Sequence, residues 1–295
     1  MDFHHDLAMI AKEELNHKGV VVPKQWNDYQ IFMKYIQLKQ RWFNSSIPYY
    51  VVYSRELLIH WNNLTREEQG AIKDIETRLK TCQTLTPYMS KDIRAIGVKK
   101  SDFLLKNWNI YHLHLERHDT KGRYTNQNLL FFQPYKQVVH MIDVKPHPKG
   151  NGWFDKTLFS TIYDNWPWLL RYREGMYPTI TISDDDIHKL LQQAVSVVPF
   201  RNGCLFPTNY GVSASGDSSL AVSIANHMFN RLTCKQLELT AKVDDIKKEI
   251  KRANLPIPKL IDFNLIIENG YFVAYEKTCH FKIQMFPVPL EIGSL

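Results

Sequence analysis

Residues 109–116 read NIYHLHLE, and this alternation constrains the fold more than any other stretch of the chain. Tyr111, Leu113 and Leu115 share one side; His112, His114 and Glu116 share the other. A period of two belongs to a half-buried strand, so the apolar side is expected on a core and the histidine side in solvent. After the polar stretch RHDTKGRYTNQ come two short apolar runs, Leu129–Phe132 and Gln137–Val144. Gln133-Pro134-Tyr135-Lys136 between them predicts a tight hairpin, with Pro134 ending its first strand and β-branched residues filling its second. The expectation is a three-stranded antiparallel meander, with His112, His114, Arg123, Lys145 and His147 on or beside it.

The rest of the chain predicts α+β elements around that sheet. Leu7, Ile10, Ala11 and Leu15 recur at helical spacing over residues 2–17, with Gly19 just beyond. A second helix is expected from Gln25 or Asn27 to Phe43, so residues 1–48 read as a helical extension. Tyr49–Ser54 is a strand by composition, and Arg55–Asn62 is helical. Thr65-Arg66-Glu67-Glu68 has the form of a capping box, opening a helix to about Thr81. Ser183 before three aspartates starts another helix, because a hydroxyl cap and carboxylates oppose the positive end of its dipole. Helices are expected from about Ser218 to Leu232 and over Cys234–Asn254. Asn269-Gly270 supplies the turn of a hairpin between Leu260–Ile267 and Tyr271–Tyr275, and Cys279–Phe286 adds a strand. The domains expected are thus 1–48, a core over 49–169 and a C-terminal α+β domain over 170–295.

Composition narrows the function classes. The 295 residues are 44% hydrophobic and 13% aromatic, which is a folded chain rather than a disordered one. No apolar run approaches the roughly 20 residues that span a bilayer, and the N-terminus has no secretory h-region. Cys82, Cys204, Cys234 and Cys279 lie far apart without a CxxC, so neither a zinc site nor a disulfide framework is indicated. Reduced thiols in a cytoplasm are the expectation. A net charge of +7 favours a polyanionic partner, most simply nucleic acid. The small-residue loop Asn209–Ser219 matches neither GxxxxGK[ST] nor GxGxxG, and no cofactor is expected.

A strand, a helical hairpin, the linker Leu85-Thr86-Pro87-Tyr88-Met89-Ser90-Lys91 and then a meander resemble the RelE/HigB/ParE superfamily of small bacterial toxins. The stretches that carry the resemblance are HLHLE at 112–116, Gly122-Arg123-Tyr124 with LLFF at 129–132, and VVHMIDVKPHPK at 138–149. They fall within about residues 49–165. The chain is also similar to uncharacterised bacterial proteins with a HxHL strand and an NWP motif, here Asn165-Trp166-Pro167. The resemblance implies a RelE-like core and a cytoplasmic bacterial or phage protein that cleaves RNA, as a growth-arrest or phage-defence effector with a neutralising protein partner. It makes Arg123 the phosphate clamp.

RNA can be cut without a metal if one group deprotonates the 2′-hydroxyl, another protonates the leaving 5′-oxygen, and cations stabilise the phosphorane. Histidine titrates near neutral pH and suits both proton roles. His112 and His114 are then candidate base and acid on the exposed strand face, and Lys145 and His147 the charge stabiliser or acid at a strand end. Arg117, Lys121, Lys149, Arg171 and Arg173 are the candidate nucleic-acid contacts. Three other readings stand beside this one. Asp143-Val144-Lys145 has the D-x-K form of a metal-dependent nuclease, with Glu116 or Asp119 as a second acid. His112 and His114 could share a metal with His140 or His147. A non-catalytic nucleic-acid- or partner-binding module would use none of these groups chemically.

Overall fold

A computed structural model describes residues 1–43, 47–90, 102–115, 128–147, 155–170, 183–193, 200–201, 204–205, 211–213 and 215–289. The fold is α+β, as the sequence predicts. Two compact units emerge, one of residues 1–39 with 221–295 and one of residues 40–220. The sequence instead divides the chain at 48 and 169.

The second unit is built on a four-stranded sheet. Its strands are β1 (Tyr50–Tyr53), β2 (Tyr111–His114), β3 (Asn128–Tyr135) and β4 (Val138–Pro146), in the order β1-β4-β3-β2. The meander β2-β3-β4 is antiparallel as expected, and β1 adds to it in parallel, with Tyr50 opposite Val138 and Tyr53 opposite Met141. Pro134 does not end β3. The turn is Lys136-Gln137, with Lys136 at a positive φ of 52°. The ladder from β2 reaches only Phe132, so Pro134 sits where β3 has a strand on one side alone and its missing N–H is tolerated.

Both faces of this sheet are covered, which corrects the expectation of a solvated histidine face. Leu113, Leu115, Leu130, Phe132, Val139 and Met141 pack with Ile72, Ile75 and Leu79 of α4 (Arg66–Lys80). On the other face, Leu129, Phe131 and Ile142 pack with Trp108 of α5 (Phe103–Trp108) and with Leu158, Phe159 and Ile162 of α6 (Lys156–Asn165). The run Leu129–Phe132 is apolar at every position, the pattern of a strand buried on both sides. A strand of that kind beside β2 leaves no wet face for the histidines.

Local signals are reproduced closely. α1 (Phe3–His17) is capped by Asp2, and the Thr65–Glu68 capping box opens α4 with both reciprocal bonds. α2 covers Asp28–Arg41 and α3 covers Arg55–His60. Ser183 caps α7 (Asp184–Gln192), accepting from the Asp186 N–H at 3.1 Å. Short strands β5 (Phe200–Arg201) and β6 (Cys204–Leu205) pair with each other. The two helices expected from 218 to 254 divide elsewhere: α8 runs from Ser219 to Ala241, and α9 covers Val243–Arg252. No Gly or Pro stands near Leu232–Cys234 to break the chain there.

In the first unit, β7 (Phe263–Glu268), β8 (Tyr271–Glu276) and β9 (Phe281–Pro287) form an antiparallel sheet. Asn269 and Gly270 both take positive φ, as the hairpin demands. The Asp6 carboxylate of α1 accepts the Leu265 N–H at 2.7 Å, so α1 satisfies a backbone donor of the edge strand β7. Among the described residues no helix is long and apolar enough to cross a membrane.

His140 of β4 is buried against Trp166, at 4.9 Å between ring centroids, and bonds the Gln133 carbonyl. Burial lowers its proton affinity below the ordinary histidine value, with the Gln133 hydrogen bond opposing. The unfolded chain therefore binds more protons at pH values from about 6.5 down to the folded pKa, and stability is lost as pH falls through that window. Thermal unfolding followed from pH 7 to pH 5 should show this loss and show it reduced in His140→Gln. Equal pH slopes for the two proteins would remove His140 as its source.

Candidate active site

The chemistry-bearing residues gather at the C-terminal end of β4, on the face covered by α5 and α6. The register shifts between Phe131 and Phe132, so Phe131 faces Asp143 and Phe132 faces Met141. Ile142 is the extra residue. A bulge of this kind sends two successive side chains to one side, and here it turns the Asp143 carboxylate onto the same face as Ile142.

Asp143 is a buried carboxylate, its side chain 2% exposed. Three donors hold it. The Val144 N–H lies 2.8 Å from Oδ1, His60 Nδ1 lies 3.1 Å from the same oxygen, and Lys145 Nζ lies 3.1 Å from Oδ2. A carboxylate only accepts, so the His60 proton sits on Nδ1 and Nε2 is the nitrogen left for chemistry. The His60 side chain is 47% exposed and that of Lys145 is 27% exposed. A solvent-reaching imidazole oriented by a buried carboxylate is the arrangement of a positioned proton acceptor.

His114 and His147 meet each other at the same end of the sheet. Their rings are stacked with centroids 5.8 Å apart, His114 being 6% exposed and His147 half-buried. Lys145 and His114 both oppose Leu129 across β3, which aligns the two pairs along the sheet.

His112 stands apart. It faces Phe131, ring to ring at 6.0 Å, and Phe131 separates it from Asp143 in the same row of the sheet. Its Nδ1 lies 3.3 Å from the carboxylate of Asp102, the residue that caps α5 by accepting the Leu105 N–H. Burial pushes the Asp102 carboxyl up, but His112, the Leu105 N–H and the Arg41 guanidinium outweigh it and hold it below the ordinary carboxylate value. The pair links β2 to α5.

Of the residues expected from sequence, the structure pairs His114 with His147 and Lys145 with Asp143 of the D-x-K motif, at the same end of the sheet. It sets His112 aside. Arg117, Lys121, Arg123, Lys149, Arg171 and Arg173 lie outside the described residues, as do Glu116 and Asp119. His60 is the residue that sequence reasoning misses. It ends a six-residue helix, 83 positions from Asp143, and only the parallel pairing of β1 with β4 delivers it. Among the described residues no group of three or more His, Cys, Asp and Glu is placed to hold a metal ion.

The fold and this cluster define an α+β protein with a carboxylate–imidazole–ammonium constellation at a sheet end. No family model, no curated protein and no solved structure matches the chain.

Proposed function

We infer that this sheet end cleaves RNA without a metal ion. The observation that carries the reading is the His60 imidazole held by buried Asp143, with the Lys145 ammonium on the carboxylate's other oxygen. His60 Nε2 takes the proton of a 2′-hydroxyl, whose oxygen then bonds to phosphorus as the bond from phosphorus to the 5′-oxygen breaks. His147, in its protonated form, gives its proton to that departing oxygen. Lys145 stabilises the charge that develops on the phosphorane. His114, stacked on His147, fixes the plane of that ring. The net charge of +7 supports a polyanionic substrate. In this reading the chain acts as a growth-arresting, toxin-like ribonuclease, and the order of strand, helices and meander supports a RelE-like core.

The Asp143 oxygens are occupied by cationic and N–H donors, which favours this reading over the metal-dependent one built on Asp143 and Lys145. The test is incubation of the purified full chain with end-labelled single-stranded RNA in the presence of EDTA. Fragments ending in 2′,3′-cyclic phosphate are expected, with His60→Ala slower by roughly 10²–10⁴-fold, the range that general acid–base catalysis contributes. Cleavage that EDTA abolishes would move the assignment to the metal-dependent nuclease. Undiminished cleavage by His60→Ala would remove His60 from it.

A further inference from the structure

We propose that Asn165 and Ser54 are positioning residues that set the direction of the His60 imidazole; the inference rests on His60 as the base. α3 is six residues long, too short to hold a helix by its own backbone bonds. Where His60 points therefore depends on what fastens the beginning of α3, and two side chains do this.

Ser54 is completely buried. Its Oγ accepts the Leu57 N–H at 2.9 Å and donates to the carbonyl of Ile142. Ile142 is the bulge residue immediately before Asp143. One hydroxyl thus ties the first turn of the helix that carries His60 to the strand distortion that aims its carboxylate. The Ser54 N–H donates to the Met141 carbonyl at 3.0 Å and fixes the same junction from the backbone side.

Asn165 approaches from the last turn of α6. Its Oδ1 accepts the Arg55 N–H at 3.0 Å, a donor that no residue within α3 can satisfy. Its Nδ2 donates to Glu56 at 2.6 Å and to the Thr161 carbonyl at 2.8 Å. α6 is anchored by Leu158, Phe159 and Ile162 in the apolar layer over the sheet. Asn165 therefore passes the rigidity of that layer to α3. The Asn-Trp-Pro motif thereby acquires a physical role, in which Trp166 joins the core, Pro167 follows the helix end and Asn165 faces α3.

The test follows the tautomer of the neutral His60 ring by its imidazole nitrogen chemical shifts in the full-length protein, since the Asp143 carboxylate holds the proton on Nδ1. Asp143→Ala serves as the reference for an imidazole that has lost its acceptor. Asn165→Ala should move the His60 ring-nitrogen shifts toward the reference, and RNA cleavage should fall on the order of 100-fold with KM little changed, the cost of about 1 Å of misplacement. Ser54→Ala should do the same, and Ser54→Thr, which keeps the hydroxyl, should restore the wild-type tautomer. If Ser54→Ala fails to fold, Asn165→Ala alone decides. Ring-nitrogen shifts unchanged in folded Asn165→Ala overturn the inference. Changed shifts in a protein whose wild type cuts no RNA support the positioning role and overturn the ribonuclease reading.

Discussion

Asp143→Asn should lower RNA cleavage by roughly 10²–10⁴-fold while leaving the fold intact. Asparagine has nearly the same shape and can still accept the Val144 N–H at 2.8 Å. It lacks the negative charge that faces the His60 Nδ1–H and the Lys145 ammonium. Those two side chains are 47% and 27% exposed and can turn to water, so the structural cost is that of weakened hydrogen bonds, about 1–3 kcal/mol. The effect on activity should therefore greatly exceed the effect on stability. Cleavage rates and a denaturant melt on the same preparation measure both. A folded Asp143→Asn that cuts RNA within a few-fold of wild type would show that the carboxylate is a structural pairing and nothing more.

Trp108→Ala should destabilise the 40–220 unit by about 3–5 kcal/mol, the usual cost of emptying a large aromatic site. Trp108 is fully buried on α5, edge-on to Phe159 at 4.9 Å, within the layer that covers the histidine side of the sheet. At roughly 2–4 °C per kcal/mol for a unit of this size, the melting temperature should drop on the order of 10 °C. The result separates two pictures of the sheet. A solvated histidine face would make Trp108 peripheral and the loss well under 1 kcal/mol. Calorimetry on the full chain gives the answer without any assay of activity.

Much of the fold was legible because its signals are short-range. The alternation in NIYHLHLE located β2, the capping residues Asp2, Thr65 and Ser183 located three helix starts, and Asn269-Gly270 located the hairpin of β7 and β8. The features that sequence placed wrongly share a cause as well. The periodicity of β2 says which side chains share a face, but what covers that face is supplied by α5 and α6 from elsewhere in the chain. Pro134 looked like a strand end because the reach of the β2 ladder is a property of the partner strand. α8 continued through Thr233 and Cys234 because nothing local forbids it and its packing sustains it.

The candidate site divides along the same line. Lys145 and His147 were visible as polar residues closing an apolar strand, and Asp143 as the start of a D-x-K pattern. His60 was not visible. Its role depends on a parallel strand pairing between residues about 90 apart in sequence and on a one-residue bulge that turns Asp143 toward α3. By itself the sequence determined the element types, their caps and the face each polar residue shares, since these follow from backbone conformation over a few residues. The tertiary structure alone decided that β1 lies against β4, that the histidine face is covered, and that His60 meets Asp143. Those outcomes depend on which distant apolar surfaces bury one another, and burial is summed over the whole unit rather than encoded at any one position.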